Sequence, residues 1–207
     1  MNNIIDGDKN TEMRFENIGD ITIDFSVNEP VALRSLKYYM AHSGVNSPAK
    51  LQVKDGNEYK TISEFRINRY NASLNVGFEP YAPIVVSLPK TVGKDFRLVI
   101  SQIANGSGIK EIELSYLPVV ERFPEKTLAK MYQEPLPFWH EYQWPVQPET
   151  DDSALLVDPL KVQDISQFLS GDKLTWDAPE GNWVIMRTGM LPTGVTNGPS
   201  RPDATGL

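Results

Sequence analysis

The feature that most constrains this chain is a repeated alternation. Ile21-Thr22-Ile23-Asp24-Phe25-Ser26-Val27 sets apolar and polar residues in strict succession. Side chains on a strand point alternately to opposite faces, so such a run buries one face and wets the other. Short runs of similar character recur at 33–40, 50–53, 58–62, 71–78, 84–88, 96–103 and 109–116, with Gly, Pro, Asn or Asp between most of them. Strands at this spacing predict a mainly β chain, with an antiparallel β-sandwich over residues 1–118. Asp55-Gly56, between two strand-like runs, predicts a tight hairpin turn.

The texture changes after Tyr116. Pro118, Pro124, Pro135, Pro137, Pro145, Pro148 and Pro159 interrupt the chain, and proline supplies no amide to a helix or ladder. Residues 119–207 therefore read as a Pro-rich connector followed by a small additional β region. Leu128, Met131 and Tyr132 fall at helical spacing within 125–133. A strand pair is predicted from 173–176 and 183–187, joined across 179–182, and the Gly- and Pro-rich stretch 188–207 reads as loop.

Composition narrows the function. The 207 residues are 40% hydrophobic and 23% charged, as in an ordinary globular protein. A net charge of -7 and the lack of any long basic run exclude a broad nucleic-acid surface, and nucleic acid is not an expected partner. Cysteine is absent, which removes disulfides, thiolate catalysis and Cys-bound zinc together. The two histidines, His42 and His140, are far apart in sequence and read as surface or hydrogen-bonded residues. No stretch reaches the roughly 20 apolar residues of a membrane span. Residues 1–6 do not form a secretion signal.

Two stretches resemble known families. Ile5-Asp6-Gly7-Asp8-Lys9-Asn10-Thr11 is similar to the opening of discoidin-like, galactose-binding-like jelly-roll modules, and 94–100 and 108–114 resemble their last two strands. Met13 and Phe15 depart from the usual aromatic position after the Thr, which speaks against an aromatic sugar platform at this loop. Such modules often carry a structural calcium here, closed by an acid from the final strand. The resemblance thus implies Asp6, Asp8, Thr11 and Glu111 as metal ligands, since calcium takes six to eight oxygens. The alternative is a turn whose Asp side chains bond nearby backbone amides.

The second resemblance runs through Leu174-Thr175-Trp176-Asp177-Ala178-Pro179-Glu180-Gly181-Asn182-Trp183-Val184-Ile185-Met186-Arg187-Thr188-Gly189 and then Pro192-Thr193-Gly194-Val195-Thr196-Asn197. It is similar to glycoside hydrolase family 106, the α-L-rhamnosidases. In that family such a sandwich lies between parts of a catalytic barrel. The resemblance implies that this chain is an internal piece whose catalytic acids lie elsewhere, with that barrel as its partner. It also implies a periplasmic or extracellular location and a rhamnose-containing glycan as ligand. Thr193, Gly194 and Asn197 would stand nearest the substrate.

The residues offer some chemistry of their own. Paired carboxylates can serve as glycosidase acid and base. Asp6 with Asp8, Glu111 with Glu113, and Asp151 with Asp152 are such pairs; the latter two read as a solvated strand face and a solvated linker. Phe138-Trp139-His140-Glu141-Tyr142-Gln143-Trp144 is dense in aromatic and polar groups, so Trp139 and Trp144 suit either a sugar patch or anchors for a wandering segment. Trp176 and Trp183 read as core or cross-strand packing, and no phosphate-loop pattern occurs. Three functions are expected in order: a non-catalytic accessory sandwich of a rhamnosidase-like enzyme, an autonomous carbohydrate-binding module, and an independent glycosidase.

Overall fold

The computed structural model describes residues 4–16, 19–41, 45–69, 81–126, 148–150 and 152–189. It divides into two units, Met1–Glu149 and Thr150–Leu207. The first holds a six-stranded antiparallel sheet built from β1 (Met13–Arg14), β2 (Gly19–Met40), β3 (Asn46–Asp55), β4 (Glu58–Asn68), β5 (Ile84–Ile103) and β6 (Gly108–Ser115). Their spatial order is β1-β6-β2-β5-β3-β4.

The runs at 21–27 and 33–40 are one strand, β2, and those at 84–88 and 96–103 are one strand, β5. The polar residues between them do not end the strands. They form irregularities in the β2–β5 ladder, between Ser26 and Val31 and again between Leu33 and Ser35. Bulges of this kind bend a strand and let it pass from one layer to the other. Beyond the bend, β2 pairs Leu36 with Val86 and with Leu114 of β6. Before it, β2 pairs Ile23 with Leu98, which in turn pairs with Leu51 of β3. The two leaves of the sandwich thus share β2 and β5. One apolar cluster joins them, with Leu36, Tyr38, Ile84, Val86 and Ile112 from one leaf and Leu51, Ile67, Leu98 and Ile100 from the other.

Burial follows the alternation where one face is wet and departs from it where both are covered. Residues 19–26 alternate half-buried with exposed, whereas Leu33, Arg34, Ser35 and Leu36 are buried in succession. Enclosing each large apolar side chain stabilises by roughly 1.5–3 kcal/mol. The hairpin between β3 and β4 turns on Gly56-Asn57, one position later than predicted, because Asp55 still pairs with Glu58. Gly56 has φ +62°, the conformation required of the first residue in a II′ loop.

After β6 the described part of unit one contains a short helix, α1 (Phe123–Lys126), inside the segment of repeated prolines. The predicted helix at 125–133 falls mostly on residues outside those described, as does the predicted strand at 71–78.

Among its described residues the second unit contains three 3-10 turns, Ser153–Leu155, Pro159–Lys161 and Ser166–Phe168, and a hairpin of β7 (Leu169–Ser170) with β8 (Lys173–Leu174). The expected pairing of 173–176 with 183–187 does not occur: β8 pairs with β7, and 183–187 forms no strand. A closer partner lay just upstream, reached through a tight turn in which Gly171 takes φ +59°.

Candidate functional site

The N-terminal loop and β6 together build the most elaborate polar arrangement at the places the sequence singles out. Ile4 is buried in the core and tethers the start of the loop. Asp6 Oδ1 accepts from the Asp8 amide at 2.8 Å, and Asp8 Oδ1 accepts from the Asn10 amide at 2.9 Å. Thr11 Oγ1 stands 3.1 Å from Asp6 Oδ2 and 2.9 Å from the Asp8 carbonyl. Gly7 takes φ +80° at the apex, and its amide donates to Glu111 Oε2 at 3.3 Å. The loop therefore folds over the strand that carries Glu111.

That cover changes the character of Glu111. Its side chain is on the face opposite Ile112, where alternation predicts a solvated row, yet it is only 4% exposed. The expectation of a wet Glu111–Glu113 face is thus corrected for Glu111. Burial raises its carboxyl above the ordinary glutamate range, the Gly7 N–H opposes this, and the charges of Asp6 and Glu113 add to the rise. Glu113 behaves in the opposite way. Desolvation would raise it, but hydrogen bonds from Lys9 and Lys37 outweigh this and hold it low. Lys9 and Lys37 lie 3.1 and 3.2 Å from its two oxygens, and Lys9 Nζ also sits 4.1 Å above the centre of the Tyr39 ring. This network joins loop, β2 and β6, and reading residues singly did not find it. The register, with Tyr39 opposite Glu111 and Lys37 opposite Glu113, assembles it.

Of the four residues named as metal ligands, Asp6, Thr11 and Glu111 lie around Gly7, whereas the Asp8 carboxylate is turned to the Asn10 amide and side chain, as in the alternative of a turn whose Asp side chains bond local amides. Asp6 and Glu111 flank Gly7, and Thr11 returns to Asp6. Among the described residues no three His, Asp or Glu side chains converge on a point that a metal could occupy. A hard cation here would need the two carboxylates plus the Thr11 hydroxyl and backbone carbonyls such as that of Asp8. Those donors are all oxygens and fit calcium chemistry, and a cation would offset the charge that burial disfavours on Glu111.

Thr193, Gly194, Asn197, Trp139 and Trp144 lie outside the described residues, as do His42, His140 and Asp151. Asp152 accepts from the Ala154 amide at 3.0 Å and opens a 3-10 turn. Trp176 and Trp183 meet edge to face with centroids 5.0 Å apart, and the Trp183 indole N–H donates to the Pro179 carbonyl at 2.8 Å. They clasp the turn between them as a local pair, not as a cross-strand pair in a ladder.

The family model for alpha-L-rhamnosidase matches residues 8–207. No curated relative matches the sequence. Among solved structures, the chain is similar to a rhamnosidase from Novosphingobium sp. PP1Y, with a TM-score of 0.53 and 21% identity over 78% of this chain and 13% of that one. It also aligns with a Ruminococcus gnavus GH29 fucosidase, at TM-score 0.43 and 13% identity over 55% of this chain and 21% of that one. A pectin binding carbohydrate binding module aligns at TM-score 0.44 and 14% identity over 58% of this chain and 85% of that one. The likeness to the rhamnosidase shows a shared fold, and the chain spans a minor part of that protein's length.

Proposed function

The chain belongs to the α-L-rhamnosidase family, glycoside hydrolase family 106, and we propose that it serves such an enzyme as a non-catalytic accessory segment. Its sandwich braces a catalytic barrel contributed by the rest of a longer parent protein. In this reading Thr193, Gly194 and Asn197 stand at the rim of the active site, and the parent degrades rhamnose-containing polysaccharide outside the cytoplasm.

One observation carries the proposal. The second unit holds its backbone in local order while its apolar side chains face solvent. Asp152, Asp158 and Asp164 each accept from the amide two residues on, fixing successive turns. Between and beyond those turns Leu160 is 93% exposed, Val184 87% and Met186 83%, with Val157, Val162 and Ile185 also exposed. An ordered segment with so much uncovered apolar surface marks an interaction site. The larger body of a glycoside hydrolase is the partner the family supplies.

Purified chain is expected to melt cooperatively yet release no nitrophenol from a nitrophenyl α-L-rhamnoside. Turnover that co-purifies with the folded protein would overturn the accessory role and favour an independent glycosidase. The cation reading belongs to the same proposal, with Asp6, Asp8, Thr11 and Glu111 holding calcium as a clamp between the N-terminal loop and β6. Calorimetric titration with calcium, against a chelator-treated control, should show heat and a raised melting temperature; neither change would end that reading.

A further inference from the structure

The outward face of the β3–β4–β5 leaf carries a cleft that the bracing role does not use. Ala49 and Leu51 of β3 are buried, so alternation turns Pro48 and Lys50 outward. The register sets Arg66 of β4 beside Pro48, and Glu64 of β4 and Val99 of β5 on the two sides of Lys50. With Ser101, the next outward residue of β5, these side chains border an open cleft of about 430 Å³.

We propose that this cleft binds an acidic oligosaccharide, seating a sugar carboxylate between Lys50 and Arg66. Pro48 and Val99 present apolar surface to the C–H face of a sugar ring, while Ser101 and Glu64 stand ready for its hydroxyls. Arg66 is positioned in advance, because Asn46 Oδ1 accepts from its Nε at 3.1 Å and its Nη2 at 2.7 Å. A cation already held in place loses less conformational freedom on binding. Neither the Lys50 ammonium nor the Arg66 guanidinium is ion-paired to an acid among the described residues. Lys50 and Arg66 outnumber the one acid at the cleft, Glu64, and in a chain of net charge -7 such a local excess of cations is selective. Long polyanions such as nucleic acid are repelled by the rest of the surface, whereas a short uronate chain meets only the cleft. The choice of a sugar over other carboxylates rests on family membership and is independent of the accessory role.

The test titrates the full chain with tetragalacturonate, followed by the chemical shifts of backbone amides in β3, β4 and β5. The acid should bind, more weakly as salt is added. Its methyl ester, and the variants Lys50→Gln and Arg66→Gln, should each bind about tenfold more weakly or worse, the range expected for losing a charged hydrogen bond. Both substitutions lie on the outward face, and an unchanged melt will show that the fold is kept. Absence of binding at millimolar tetragalacturonate, an ester that binds as tightly as the acid, or a double variant that binds like the parent overturns the proposal. None of those outcomes touches the accessory role, which falls only to rhamnoside turnover.

Discussion

Leu36 and Leu98 test whether the two leaves form one cooperative body. Each is 0% exposed, Leu36 on the β6 side of the bend and Leu98 on the β3 side. Truncating either to alanine removes buried methyl groups and leaves a void that packed neighbours such as Val86 or Leu51 fill only in part. Comparable deletions cost about 3–5 kcal/mol. In a chain of this size each kcal/mol lowers the melting temperature by roughly 2–4 °C, so a fall of about 10 °C is expected for each variant. The assay is urea unfolding followed by far-ultraviolet circular dichroism. Because one unit unfolds in both cases, the midpoints should drop together while the slope with urea stays that of the parent. Val92→Ala, at a position 63% exposed, is the control and should stay within about 0.5 kcal/mol of the parent. A cost under about 1 kcal/mol for Leu98→Ala, or two separate transitions in either variant, would refute a core shared through β2 and β5.

Two further predictions concern the loop and β6. The carboxyl of Glu111 is raised in the folded state, so its favourable contribution is complete below the unfolded glutamate value and is lost as pH rises through the folded one. Glu111→Gln should therefore melt above the parent at pH 7 in chelator, with the gap closing toward acid; with calcium the parent should gain and the variant should not. A variant that melts lower at neutral pH without cation contradicts the assigned burial. At Gly108 an added Cβ would collide with the Met13 carbonyl, across the β1–β6 pairing of Arg14 with Gly108. Gly108→Ala should cost about 1–3 kcal/mol and speed hydrogen exchange at the Phe15 amide, which donates to Ser107 O; parental exchange there would show that β1 can shift freely.

The sequence by itself determined that the first half is a sheet with one buried face. Period-two runs specify which residues turn inward, and that choice is local: Ile21, Ile23 and Phe25 pack toward the core in the structure as their spacing requires. The family was likewise legible, in the 174–197 segment, and so was the loop that collects Asp6, Thr11 and Glu111. Where strands end was not legible. The residues between 27 and 33 carry the polar groups of a turn, yet β2 runs through them because β5 offers a partner and bulges absorb the mismatch.

Only the tertiary structure decided the rest. Glu111 has the sequence context of a solvated residue, and it is buried because a loop about a hundred positions away in sequence lies over it. Lys50, Glu64, Arg66 and Val99 share no motif, and register alone places them around one cleft. Val184, Ile185 and Met186 of the second unit read in sequence as a strand yet are exposed, since hydrophobicity records that a side chain seeks cover and not which surface supplies it. Local alternation dictates the direction of a side chain, and distant pairing dictates its neighbours.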